Sequence, residues 1–256
     1  MSVTVLVPMA GRSAFFRPDE HYYPKPLLEV RGRMMIERVI ESLQTIAGKP
    51  RFVFVINHDD DATFHLGSTL RLLTEGHCAV VLQRGDAGGA LCSCLLGMEH
   101  IRPDSPLIIS NADQVVDVDY NAVLADFAQR KLDAGTIVFP SAHPQWSYVR
   151  TDADGFIVET AEKNPISAHA IAGFYYFARG REFIRAAENV IRKGTRVKDR
   201  FFVSQTFNEL ILDGKRVGMH EIPREAYHSF YSPGRIAEFQ ESPMDETFGQ
   251  PRRPRS

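Results

Sequence analysis

The sequence predicts an α/β fold: a mixed, mainly parallel sheet with helices on both faces and an elaborated second half. Three observations predict it. Short apolar runs of strand length alternate with longer segments of helical spacing through the first 133 or so residues. Each of those runs ends in a turn of small or polar residues. From Gly135 onward the strands become shorter and closer together.

Val3, Val5, Leu6 and Val7 form the first strand, and Pro8-Met9-Ala10-Gly11-Arg12-Ser13-Ala14 ends it. In an open parallel sheet, ligands bind beyond the carboxyl ends of strands, so this loop lies at the active edge. Gly11 allows close approach of main chain to a ligand, and Arg12 and Arg17 bring cations beside exposed amides. Lys25 stands between Pro24 and Pro26, whose rings restrict the backbone on either side of it. An ammonium held in this way suits a charged substrate.

Met35, Ile36, Val39, Ile40, Leu43 and Ile46 recur at helical spacing and cover one face of the sheet. Residues 51–57 form a buried strand, and Asp59-Asp60-Asp61 opens a helix expected to run to about Leu73. The three acids are read as residues that complement a helix N-terminus, not as a metal site. Residues 79–82 form the next strand, followed by Gln83-Arg84-Gly85-Asp86-Ala87-Gly88-Gly89 and a helix expected from near Gly88.

Residues 106–110 are again a strand, which delivers Asn111 and Asp113 at its carboxyl end. Asp113 can coordinate a magnesium ion shared with substrate phosphates, because magnesium takes hard oxygen ligands and keeps several waters. Asn111 is placed to orient that carboxylate or to touch a nucleotide. Asp117 and Asp119 lead into a helix over residues 120–132, with Asp119 as its cap.

In the second half, strands are expected over residues 136–139, 147–150 and 156–159, with a hairpin turn at Asp152-Ala153-Asp154-Gly155. Glu162 and Lys163 follow, then a strand over 172–177 in which Gly173 permits close approach of a ligand. Helices are expected over 181–193 and 202–212, the second with Asn208 and Glu209 toward a ligand, and a basic loop holding Arg196 and Lys198 lies between them. Trp146, the only tryptophan, suits the core and the site equally well.

The absence of a Gly/Ser/Pro linker argues for one domain over residues 1–245. Its halves cover about 1–133 and about 134–245, followed by a disordered basic tail at 246–256. A net charge of −2 gives no general nucleic-acid surface, and no apolar run approaches membrane length. The cysteines Cys78, Cys92 and Cys94 are odd in number, two of them too closely spaced to staple a secreted scaffold, so a reduced cytoplasmic setting is expected. A homodimer is compatible with the sequence.

Val7-Pro8-Met9-Ala10-Gly11, Tyr23-Pro24-Lys25-Pro26-Leu27-Leu28-Glu29-Val30 and Met35-Ile36-Glu37 together resemble the opening of the nucleotidyltransferases that build nucleotide sugars and related activated compounds. The likeness continues through Ser110-Asn111-Ala112-Asp113-Gln114, His143-Pro144-Gln145-Trp146-Ser147-Tyr148-Val149, Ala161-Glu162-Lys163-Asn164-Pro165 and Ala172-Gly173-Phe174-Tyr175-Tyr176. It spans roughly residues 1–240, and the middle motifs most resemble a capsule and surface-polysaccharide branch that includes a CTP:phosphoglutamine cytidylyltransferase.

This resemblance implies a Rossmann-like, GT-A-type fold, a magnesium cofactor, and two small-molecule partners: a nucleoside triphosphate, with a pyrimidine base such as cytosine favoured, and a phosphorylated acceptor. It implies nucleotide contacts at Met9, Ala10, Gly11, Arg12, Ser13, Lys25, Gln83, Gly88, Gly89, Asn111 and Asp113, with the base edge read by Gln83 or by main-chain groups. It implies acceptor contacts at Trp146, Glu162, Lys163, Gly173 and Asn208, and so a nucleotide-binding half of about 1–133 and an acceptor-binding half of about 134–245. Lys25, Asp113 and Arg12 would be catalytic and Asp113 the metal ligand.

Two departures stand out. The family's signature arginine is replaced by Phe15, so Arg12 or Arg17 substitutes for it or triphosphate binding differs. Where many relatives carry a second metal carboxylate, the chain has Tyr227-His228-Ser229-Phe230-Tyr231-Ser232-Pro233 without an aspartate, which implies a one-carboxylate site. A GT-A-type glycosyltransferase and a non-catalytic nucleotide-binding regulator are the rival readings.

Overall fold

The computed structural model describes residues 3–17 and 21–241. The expected tail at 246–256 lies outside the described residues. The first strand, β1 (Thr4–Pro8), is followed by the loop that carries Lys25, a short 3-10 turn (Lys25–Leu27), and a small hairpin of β2 (Glu29–Val30) and β3 (Arg33–Met34). Helix α1 (Met35–Gln44) then leads to β4 (Arg51–Asn57). Val5 and Val7 of β1 pack on the face covered by Ile36, Val39, Ile40 and Leu43 of α1. Leu6 points to the opposite face, with Leu91 and Cys94. That alternation is the two-residue period of a strand, and α1 supplies the matching stripe at helical spacing. Each large aliphatic side chain so buried contributes about 1.5–3 kcal/mol of gross hydrophobic stabilisation.

The helix expected from the acidic cluster to Leu73 is two helices, α2 (His58–Phe64) and α3 (Leu66–Leu73), broken at His65, which is left-handed with φ 53°. Asn57 caps α2 by accepting from the Asp59 and Asp60 amides, and the Asp61 carboxylate takes the Gly67 amide at 2.7 Å. These side-chain bonds redirect the chain so that Leu66 and Leu70 reach the core. Strand β5 (Cys78–Gln83) follows, and α4 (Ala90–Leu96) begins after Gly89. Next come β6 (Leu107–Ser110), β7 (Gln114–Val116) and α5 (Tyr120–Gln129), the last capped by Asp119 as the sequence predicts.

The second half contributes β8 (Ala134–Pro140), β9 (Ser147–Thr151), β10 (Ile157–Glu162) and β11 (His169–Phe177), then α6 (Gly180–Lys193), α7 (Gln205–Leu212) and β12 (Val217–Glu221). Strand β13 (Tyr227–Ser229) and α8 (Pro233–Glu241) complete it. The main sheet has nine strands in the order β10-β9-β11-β6-β1-β4-β5, with β8 on β11 and β12 on β8. Pairing is parallel from β6 through β5 and between β8 and β12, and antiparallel where β11 meets its neighbours. Strands from both halves therefore share one continuous sheet.

Helices α1, α3 and α5 pack on one face and α4, α6 and α7 on the other. The chain leaves β1 for β4 on one side and returns to β6 on the other, so strand order reverses between β1 and β6. A crevice opens at the carboxyl ends of strands at such a switch point. The sequence missed β12, α8 and the small β7–β13 pair, which lie in stretches too short or too polar to show a clear period.

Candidate active site

A cavity of about 380 Å³ lies at this switch point. Its walls come from the loop after β1 (Met9, Gly11, Arg12, Ser13), from the Lys25 turn, from Asn111 and Asp113 after β6, and from Trp146, Glu162, Lys163 and Gly173 of the second half. Of the residues singled out in the sequence, these eleven line one cavity. The Lys25 ammonium donates to Oδ2 of Asp113 at 2.5 Å. It also lies 5.3 Å from the centre of the Phe16 ring and 5.6 Å from that of Tyr231, where the negative ring faces favour a cation.

Main-chain bonds explain why Asp113 faces the crevice. The Phe230 amide donates to the Asp113 carbonyl at 2.7 Å and β13 pairs with β7, which pins the stretch after β6 from the far side. The Asn111 amide donates to the Gly173 carbonyl, and the Asn111 and Gln114 side chains fill the space that a Cβ on residue 173 would need. Gly173 has φ +60°. Its lack of a side chain thus serves the neighbouring amides as well as the cavity it lines.

On the wall from the second half, Glu162 is half-buried, and its partial desolvation pushes its carboxyl above the usual carboxylate range despite hydrogen bonds from Ser147 and Ser204 and the nearby Lys163 cation. Lys163 adopts a left-handed backbone, φ 55°, with its amide on the Trp146 carbonyl, and its ammonium lies 5.0 Å from the Phe202 ring centre. Trp146 packs edge-on against Phe139 and Tyr227 while lining the cavity, so it belongs to core and site at once.

Several residues are placed differently from expectation. The Gln83 amide is committed internally: it donates to the Gly85 carbonyl at 3.0 Å and accepts from Ser93 at 2.7 Å. Gly88 and Gly89 do not line the cavity, and the close approach that requires a glycine at 89, φ +135°, is to the Phe201 main chain. Asn208 is turned away to bond both main-chain groups of Thr160, at 2.8 and 2.9 Å. Ala10 is buried beside the loop rather than on the cavity wall.

Arg12 lines the cavity but is held by Asp60 at 3.4 Å and by Asp59 at 4.0 Å. Burial pushes the Asp60 carboxyl up even so. Phe15 stacks edge-on against Tyr231. His228 packs on Phe239 and is not on the cavity wall.

The sequence reading left out Tyr175, Phe202, Tyr227, Ser229 and Tyr231, all of which line the cavity. Tyr227, Ser229 and Tyr231 alternate along the stretch noted only for its missing aspartate. That alternation on a strand was the available signal.

Among the described residues, no group of three or more His, Cys, Asp or Glu is arranged to hold a metal ion. A magnesium ion needs no such group when substrate phosphates and water complete its shell, and the cavity-facing carboxylate of Asp113 is an oxygen donor of the right kind. Among the described residues no helix is long and apolar enough to cross a membrane.

The fold is shared with solved structures of low sequence identity. One is a nucleoside-diphosphate-sugar pyrophosphorylase from Vibrio cholerae RC9, 22% identical, with 93% of this chain and 100% of that one covered and a TM-score of 0.83. Another is a UDP-glucose pyrophosphorylase complexed with UDP-glucose, 15% identical, with 94% and 97% covered and a TM-score of 0.74. No curated protein matches the chain by sequence. Residues 5–194 match the MobA-like NTP transferase domain, most of the chain including every cavity strand up to β11. The chain therefore belongs to the MobA-like NTP transferase family and is a nucleotidyltransferase.

Proposed function

We propose that the chain joins a nucleoside monophosphate to a phosphorylated small acceptor and releases pyrophosphate. The observation that carries this reading is the convergence of Lys25, Asp113 and Lys163 on one cavity at the sheet's switch point. An oxygen of the acceptor's phosphate attacks the α-phosphorus of the triphosphate. A new oxygen–phosphorus bond forms as the bond to the β-phosphate oxygen breaks, and pyrophosphate leaves in line. The attacking oxygen is already anionic near neutral pH, so no general base is required. The chemistry instead needs two polyanions to be held together, with cations and amides set where charge accumulates.

Lys25 neutralises the α-phosphate, and the amides around Gly11 with Arg12 and Ser13 hold the triphosphate. Asp113 would hold magnesium, which neutralises phosphate oxygens when bound. Lys163 meets the acceptor's phosphate, and Glu162 accepts a hydrogen bond from its hydroxyls or amine. The Lys25–Asp113 pair fits this scheme, because each partner compensates the other until phosphates arrive. The motif resemblance favours CTP or another pyrimidine triphosphate, and a sugar phosphate or a phosphoglutamine-like acceptor, within cytoplasmic synthesis of capsule or other surface-polysaccharide precursors. The common triphosphates, each paired with sugar phosphates and with phosphoglutamine, test this by pyrophosphate release. A pyrimidine triphosphate with one of these acceptors should give the fastest release, and equal rates for all four bases would contradict the base assignment.

A further inference from the structure

Glu162 ends β10 directly opposite Ser147 of β9 in the antiparallel register. The Ser147 hydroxyl donates to Oε2 of Glu162, and the Ser204 hydroxyl donates to the same oxygen at 2.9 Å. Among the described residues no hydrogen bond reaches Oε1, and Glu162 lines the cavity. Ser204 is itself fixed. It stands at the N-terminus of α7, almost wholly buried, and its carbonyl accepts from the Thr160 hydroxyl at 2.8 Å. Asn208, one turn along α7, clasps both main-chain groups of Thr160, two residues before Glu162. Two independent elements, a sheet neighbour and a helix N-terminus, thus converge on one oxygen of one carboxylate.

We propose that Ser147 and Ser204, with Asn208 acting through Thr160, are positioning residues for acceptor selection. They hold Oε2 of Glu162 and leave Oε1 to read a hydrogen-bond donor on the phosphorylated acceptor. The inference rests on reading the cavity as a nucleotidyl-transfer site. A hydroxyl and an ammonium share the chemistry that Oε1 recognises, and acceptors that differ only in that group separate them. The titratable groups facing Glu162 are Lys163, next in the chain, and Tyr175 of β11, which lines the same cavity. The serines favour the ionised carboxylate, so their removal raises its pKa further.

Steady-state kinetics of Ser147→Ala, Ser204→Ala and Asn208→Ala, followed by pyrophosphate release, test the proposal. Each serine variant should raise the acceptor KM about tenfold, the scale of one hydrogen bond to a charged group, with the triphosphate KM unchanged. The acidic limb of kcat/KM for the acceptor should move to higher pH, and Ser147→Thr, which keeps a hydroxyl, should restore both. Equal changes in the two KM values, or an unmoved limb, would overturn the proposal. A carbon-13 titration of the Glu162 carboxyl in the free protein reads the same positioning without turnover. A pKa unchanged by Ser204→Ala would refute the clamp. A clamp intact by this titration, in a wild-type protein that releases no pyrophosphate with any acceptor, would instead sink the transfer reading and the acceptor role with it.

Discussion

The ammonium of Lys25 has two fates in the proposed cycle, pairing with Asp113 in the free protein and meeting the α-phosphate in the complex. Its position between Pro24 and Pro26 limits the backbone freedom lost on binding. Lys25→Ala should lower kcat by about 100-fold or more, the scale of one preorganised charge-stabilising donor. Near-wild-type turnover would remove the lysine from that role. Glu162 makes a separate prediction for stability. Its folded carboxyl is pushed up by burial, so the folded state binds the proton more tightly than the unfolded chain does. Stability is then greatest below the ordinary glutamate pKa and falls as pH rises through the raised one. Glu162→Gln should melt higher than wild type at neutral pH and lose that advantage in acid. A lower melting temperature at neutral pH would show that the ionised carboxylate is stabilising.

Among the elements, the two glycines after β5 differ in what confines them. A Cβ at Gly88 meets open space, so Gly88→Ala costs only the left-handed backbone, about 1 kcal/mol. A Cβ at Gly89 would collide with the Phe201 main chain, so Gly89→Ala should cost about 3 kcal/mol or more in urea denaturation, and equal costs would contradict this contact. The contrast shows what the sequence conveyed. Buried strands, the α1 stripe, the Asp119 cap and the Asp152–Gly155 turn were legible because period and turn chemistry are local. That Lys25 and Asp113 would serve one site was an expectation of the family resemblance, because Asp113 follows β6 while Lys25 stands in a 3-10 turn well beyond β1. The partners of Gly89, Gln83 and Asn208 were not legible, because Phe201, Ser93 and Thr160 are chosen by the tertiary fold. The split at His65 was hidden because the Asp61–Gly67 bond, not a proline or glycine at the break, causes it.

For the molecule as a whole, one sheet runs through both halves, and the cavity lies where they meet. The paired strands β6 and β11 tie the first half to the second, so the halves should unfold together. Trp146, the only tryptophan, reports on the second half, while far-ultraviolet circular dichroism reports on all of the sheet. Their urea transitions should coincide, and a separate early Trp146 transition would show independent halves. The most direct test of nucleotidyl transfer follows label from a triphosphate in the presence of a phosphorylated acceptor. Label in the α-phosphate should appear in the acceptor-linked product and label in the γ-phosphate in pyrophosphate, in equal amounts and only with acceptor present. Release of γ-label as free phosphate, or transfer of a sugar from a nucleotide sugar with no triphosphate consumed, would contradict the account.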